Sequence, residues 1–359
     1  MSLSGYNYFR SITIDHTKCG SSNSSNFAVL FSGTYSYLKT VANGGNVQNG
    51  SGYDIVFSTD QVNVLNFEID HYVATTGEIE AWVKVATVSH TADTVLYVYY
   101  GNSGISTYQG NNSATWDSNF AAVWHLNNTA GTSNSIIDST SNANNGTPYT
   151  AYSSTIGDIS TSAGQIDGAQ SFSGTRAIAG PNSSSLNING TPIYSVSAWV
   201  KRANSTQTGN IFMKGLGGVG GYELAVGQPT VNDIKITKFA VADISAGSFP
   251  ADTNWHYVVL AADGTGMTVY VDGASSGTSG NTANLVGDAS DGWFIGSQDV
   301  GPWAGTIDEV RVSNIRRSAD WILTEYNNQS TPSTFYTVGA QQNNLKHLLI
   351  CDGFGGVFS

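Results

Sequence analysis

The chain reads as all-β, with two β-sandwich domains in tandem and one short helix near the C-terminus. Apolar runs of strand length, rich in β-branched and aromatic residues, recur along all 359 residues, and each is bounded by Gly, Asn, Ser or Asp. No helical period alternates with these runs, which argues against a βαβ arrangement and leaves stacked antiparallel sheets. The length exceeds what one hydrophobic core usually serves, so two cores are expected.

Taken in order, RSITID, FAVLFS, YDIVFST, LNFEIDHYV, GEIEAWVKVATV and TVLYVYYGN make a compact β-unit over residues 1–112. The polar stretch GNSGISTYQGNNSATWDSN has loop composition and no apolar period, so a flexible boundary is expected within residues 103–116. A second series runs over 113–340: AAVWHLN, GAQSFSG, YSVSAWVKR, GNIFMKG, GYELAVG, DIKITKFAV, GWFIGS and GTIDEVRVSN. Between the last of the DIKITKFAV run and GWFIGS lies DTNWHYVVLAADGTGMTVYVDG, two apolar strands hinged at Asp263-Gly264, with Trp255, Tyr257 and Val259 on one face and His256, Val258 and Leu260 on the other. SADWILTEYNN supplies the helix, with Ser318 as its cap and Asp320 in its first turn. IEAWVKV at 79–85 echoes VSAWVKR at 196–202; two sandwiches solving one packing problem is the plainer account of so short a match, and duplication the alternative. The last segment, 341–359, contains LKHLLI and FGGVF and reads as an apolar docking or assembly tail.

Charged residues are only 11% of the chain, and 14 Lys plus Arg stand against 26 Asp plus Glu, a formal charge of -12. No basic cluster beyond Arg316-Arg317 interrupts that balance, which argues against nucleic acid as a partner. Cys19 and Cys351 lie near opposite ends without any CxxC, so no disulfide framework or cysteine zinc site is encoded. No Sec-type leader and no run of about 18 apolar residues is present, so membrane insertion is not expected. An extracellular or particle-surface location is expected, reached in a particle released by lysis if not by a signal peptide.

The ordered series VWHLN, DSTSNANNGT, GAQSFSG, VSAWVK, NWHYVV…DGTGMTVYVDG and GTIDEVRVSN closely resembles the laminin-G-like, concanavalin A-like jelly-roll family over residues ~113–340. YFRSITID, YDIVFST, FEIDHYVATTGEIEAWVKV and TVLYVYYGN resemble a domain of unknown function often found before such modules. The first resemblance implies a fold used mainly for binding carbohydrates and cell-surface partners, and less often for glycan cleavage. Fold alone does not choose between them.

Glycosidases need two carboxylates flanking the scissile bond. Glu68-Ile69-Asp70 begins an ExDxxE pattern, but Val73 stands where the third acid belongs. HExxH is missing, and His256 reads as a satisfied histidine, so a non-enzymatic protein is expected. For glycan binding, Trp303 in DVGPWAGT reads as a rim aromatic, and Trp199, Lys201 and Trp82 lie opposite the aliphatic faces of their strands; for Trp199 and Trp82, packing under neighbouring loops or against the other domain is the competing reading. The expected function is adhesion to a cell-surface glycan or glycoprotein, on a virion decoration or fibre component. Two alternatives stay open. One is a purely structural particle subunit, joined to other subunits or to itself through 341–359; the other is a polysaccharide-degrading enzyme or its accessory module. No cofactor is required. Family members often hold a structural Ca²⁺ at a sandwich edge, and Asp138, Asn142 and Asn144 offer an oxygen-rich loop, with Asp308 as an inward carboxylate on the face of Val310 and Val312. An Asx-rich turn capping its own backbone is the competing reading. Arg176 stands where relatives carry acidic residues, which argues against a ligand-binding calcium there.

Overall fold

The computed structural model describes residues 3–128, 131–150, 156–157, 159–216, 218–227, 229–296 and 301–344. The chain divides into two compact units. One runs through Thr115 and includes the chain from Ser330 on; the other is Trp116–Gln329.

The first unit is a sandwich of two antiparallel sheets. One sheet has the order Tyr336–Val338, Tyr8–Ile14, Thr94–Tyr100 and Val56–Ser58, with Gln342–Asn343 also pairing to Tyr8–Phe9. The other has the order Ser24–Thr34, Glu78–Val88 and Phe67–Val73. Alternation sends Ile12, Ile14, Leu96 and Val98 inward from the first sheet, and the rings of Phe31, Phe57 and Phe67 meet edge to face at 5.6 and 5.4 Å between the layers.

Two expectations about boundaries change. Residues 336–344 complete this first sandwich rather than ending the second or forming a tail: Asn344 donates from its backbone to Asn7 O and from its side chain to Leu3 O. The remainder of the expected docking segment, 345–359, lies outside the described residues. The 103–116 stretch is also tied down. Tyr108 Oη accepts from Ile69 N at 2.8 Å, Asn111 N donates to Phe67 O at 2.9 Å, and Asn112–Thr115 forms a helical turn. Its polar residues satisfy strand-edge backbone groups, which is why loop composition coexists with order.

The second unit packs an eight-stranded sheet on a seven-stranded one. The first has the order Ala274–Ser279, Met267–Val271, Trp255–Asp263, Ile193–Arg202, Ala304–Ser313, Gly168–Ser173 and Ser160–Ala163, with Phe120–Trp124 paired to the end of Ala304–Ser313. The second has the order Ala242–Ser248, Asp233–Lys238, Tyr222–Val226, Gly209–Lys214, Trp293–Ile295, Arg176–Gly180 and Thr147–Thr150. Between them lie Trp124 and Trp293, 4.3 Å apart between ring centres, with Phe212, Tyr194 and Tyr222.

The helix Ala319–Ser330 is capped as expected, Trp321 N donating to Ser318 Oγ at 3.1 Å. It covers the outer face of the eight-stranded sheet, where Trp199, Tyr257, Val259, Ala261 and Tyr270 gather around Ile322. The hairpin at 263–266 falls where the sequence placed it, and its two faces separate as alternation demands: Val258, Leu260 and Ala262 enter the core and Tyr257 and Val259 meet the helix.

Candidate ligand-binding cleft

The seven-stranded sheet carries a cleft on its outer face. On Tyr222–Val226 the core takes Tyr222, Leu224 and Val226, leaving Glu223 and Ala225 outward; on Asp233–Lys238 it takes Ile234 and Ile236, leaving Lys235 and Thr237. Cross-strand register then makes a grid. Glu223 pairs with Met213 on one side and Thr237 on the other, Thr237 pairs with Asp243, and Ala225 lies between Asn210 and Lys235. A bulge between Asn210 and Phe212 puts Asn210 and Met213 on the same face although three positions separate them, and Asn210 Nδ2 reaches Met213 Sδ at 3.7 Å.

Walls close this floor into a cleft of about 470 Å³. One is the turn Phe239-Ala240-Val241, held by Phe239 N to Gly221 O and Val241 N to Lys238 O; Ala240 adopts a left-handed φ of 60° to make it. The other is Thr208-Gly209 with Gly301, whose carbonyl accepts from Asn210 N at 2.9 Å.

The floor is polar but withdrawn from solvent. Asn210, Glu223 and Thr237 are all buried, and Thr237 Oγ1 has no hydrogen-bond partner among the described residues. A hydroxyl of that kind carries a desolvation cost that a bound hydroxyl or water would recover. Two ammonium groups belong to the same region and both are engaged. Lys235 Nζ lies 3.6 Å from Asp243 Oδ2. Lys238 Nζ turns away and donates to Ala283 O at 2.6 Å and to Asn281 Oδ1 at 3.0 Å, and burial draws its pKa below the ordinary lysine value.

None of the expected ligand residues lines this cleft. Trp303 is fully buried in the core beside Gly209, because the chain turns it inward before entering Ala304–Ser313. Trp199 lies under the helix, its indole N–H donating to Gln329 Oε1 at 2.6 Å and its ring stacked on Tyr326. Trp82 belongs to the middle strand of a three-stranded sheet and is buried as well. These three are packing residues. Lys201 is exposed, on a strand of the eight-stranded sheet.

The expected metal ligands do not converge. Asp138 accepts from Val123 N, Thr140 N and Asn144 N, at 2.8 to 2.9 Å, and from Thr140 Oγ1 at 2.9 Å. Burial raises its pKa against the lowering effect of those donors. Asn142 and Asn144 direct their amide groups to Ala121 O, as donors, at 2.9 Å. This is an Asx network capping its own backbone, and with Asp138's lone pairs already taken it does not fit a cation. Asp308 contacts a different segment, accepting from Gln165 N and Ile166 N at 2.9 Å. Its expected face is also wrong. Glu309 has a φ of 51° and forms a bulge opposite Ala198, so Ile307, Val310 and Val312 face the core while Asp308 pairs with Trp199 on the other side.

Glu68 is buried and accepts from Asn112 Nδ2 at 2.9 Å. Glu309 is enclosed between His125 and Arg311, each at 2.7 Å, and Arg311 continues to Glu325 and that to Tyr257 Oη. His256 is held between Asp272 and Asp252, at 2.6 and 2.9 Å, as a satisfied histidine.

Part of the chain matches several solved structures at low identity. Domain 4 of AbnA, a GH43 extracellular arabinanase from Geobacillus stearothermophilus, in complex with arabinotriose, shares 21% identity over 58% of this chain and 98% of its own, with a TM-score of 0.48. The binding domain of Paraclostridial Mosquitocidal Protein 1 shares 11% over 58% of this chain and 52% of its own, TM-score 0.43. Trypanosoma rangeli sialidase in complex with the inhibitor DANA shares 14% over 67% and 41%, TM-score 0.40. No curated protein matches the sequence. Residues 51–143 match the family described as a domain of unknown function, DUF2341. Residues 172–323, which include every strand of the cleft, match the family described as the concanavalin A-like lectin/glucanases superfamily, and that jelly-roll fold is the one the second unit carries.

Proposed function

We propose that this protein binds a glycan in the cleft on the outer face of the seven-stranded sheet and does not cleave it. The observation that carries the reading is the floor itself: Asn210, Glu223 and Thr237 are polar, buried and directed outward from a sheet whose other face sends Phe212, Leu224, Val226, Ile234 and Ile236 into the core. Met213, Ala225, Phe239 and Val241 supply apolar surface beside them. A sugar ring offers that same combination of hydroxyls and C–H faces. The matched family's description names lectins and glucanases, both of which handle glycans.

Binding is favoured over hydrolysis by the carboxylates present. Glu223 and Asp243 are separated by the strand carrying Thr237, and the Asp243 carboxylate is two-thirds exposed at the rim rather than enclosed with Glu223 around a ligand. Asp243 is drawn to Lys235 rather than toward Glu223. The adhesive role on a particle adds no residue to this face.

A glycan array probed with the intact protein, followed by calorimetry on the hits, tests the reading. Thr237→Val is the informative variant. Since Thr237 Oγ1 has no partner among the described residues, its removal leaves stability unchanged or higher, while affinity falls by about 1 kcal/mol, the worth of one hydrogen bond. Equal affinity in Thr237→Val, or reproducible release of reducing ends from a bound oligosaccharide, would overturn the site or the non-catalytic assignment respectively.

A further inference from the structure

The cleft's chemistry specifies more than a sugar, and this step rests on the glycan reading above. We infer that the cleft selects uncharged glycans and rejects those bearing carboxylate or sulfate groups. An anionic sugar needs a positively charged partner once it leaves water, because desolvating its charge costs more than hydroxyl contacts return. Among the described residues the cleft region holds two ammonium groups, and neither is presented to a ligand. Lys238 is fully buried with its head group on the carbonyls of Asn281 and Ala283 and on Asn281 Oδ1, on the far side of its own strand end. Lys235 is joined to Asp243, whose side chain is two-thirds exposed and so stands at the rim where an incoming acid would pass.

The floor adds its own bias. Glu223, at the centre of the grid, accepts hydrogen bonds and donates none when ionised, so it suits the hydroxyl donors of a neutral ring and repels an acid group in the same place. Around the cleft, the whole chain carries a formal charge of -12, which disfavours the approach of polyanions at low ionic strength. Asn210 and Thr237 complete the set with uncharged groups that serve hydroxyls as donors or acceptors.

The test is calorimetry of the full chain against matched pairs: arabino-, xylo- and cello-oligosaccharides on one side, oligogalacturonate and sulfated oligosaccharides on the other, at 20 and 200 mM salt. The expected result is binding of at least one neutral oligomer, with the acidic ones at least tenfold weaker and the gap narrowing at high salt. Asp243→Asn then releases Lys235, and the ratio of acidic to neutral affinity rises severalfold; the position is exposed, so the variant folds. Acidic oligomers bound as tightly as neutral ones, or a ratio unmoved by Asp243→Asn, overturns the selectivity and leaves glycan binding standing. Failure of every oligosaccharide in both sets overturns the glycan reading itself and the selectivity with it.

Discussion

Trp303→Ala separates a core residue from a stacking platform. The indole is fully buried among the apolar side chains between the two sheets of the second unit. Truncating a buried Trp to Ala costs about 3–5 kcal/mol, from lost transfer energy plus the cavity left behind. For a unit spanning Trp116–Gln329, each kcal/mol moves the melting temperature by about 2–4 °C, so a fall of about 6–20 °C is expected. Trp303 Nε1 has no partner among the described residues, so Trp303→Phe forfeits volume and no hydrogen bond, at about 1–2 kcal/mol. Trp199→Phe makes the contrast. It leaves Gln329 Oε1 without its indole donor and adds about 1–3 kcal/mol to the packing loss. Scanning calorimetry reads these shifts, and glycan affinity is measured well below the lowered melting point. A Trp303→Ala protein that melts like the wild type but has lost binding would refute the burial argument and restore Trp303 to the rim.

The remaining perturbations concern charge. Burial works against the His256 imidazolium, but the carboxylates of Asp272 and Asp252 outweigh it and hold the pKa above its ordinary value. A group whose pKa is raised on folding contributes stability fully below its unfolded pKa and loses it as pH climbs through the folded value. The second unit is therefore more stable at pH 6 than at pH 8.5 through this group, by about 1 kcal/mol or less; His256→Gln flattens that slope, and an unchanged slope in the variant would exclude the clamp. Asp138→Ala strands the donors of Val123, Thr140 and Asn144, at a cost on the order of 3 kcal/mol, and the loss is the same with EDTA as with millimolar Ca²⁺. A calcium-dependent difference would show that the loop holds an ion after all.

The strand pattern, the hairpin at Asp263-Gly264, the Ser318 cap and the jelly-roll family are all readable from the chain, because each depends on neighbours within a few residues or on an ordered series of such elements. A period of two places Val258 and Leu260 inward whatever lies opposite them. It does not say whether the second face meets water. Trp199 and Trp303 illustrate this: their positions are correct as strand or loop residues, but a helix over one and a turn into the core around the other decided their burial. Asp308 failed for a related reason. One left-handed residue, Glu309, shifts the alternation by a position, and a bulge of that kind depends on the partner strand rather than on local composition. The cleft was not read from the sequence, where GYELAVG and DIKITKF show only Glu223, Lys235, Thr237 and Lys238 scattered among apolar positions. That Glu223, Thr237, Asn210 and Lys235 share one face is a matter of cross-strand register, and register is set by which strands pair, which only the tertiary structure decides.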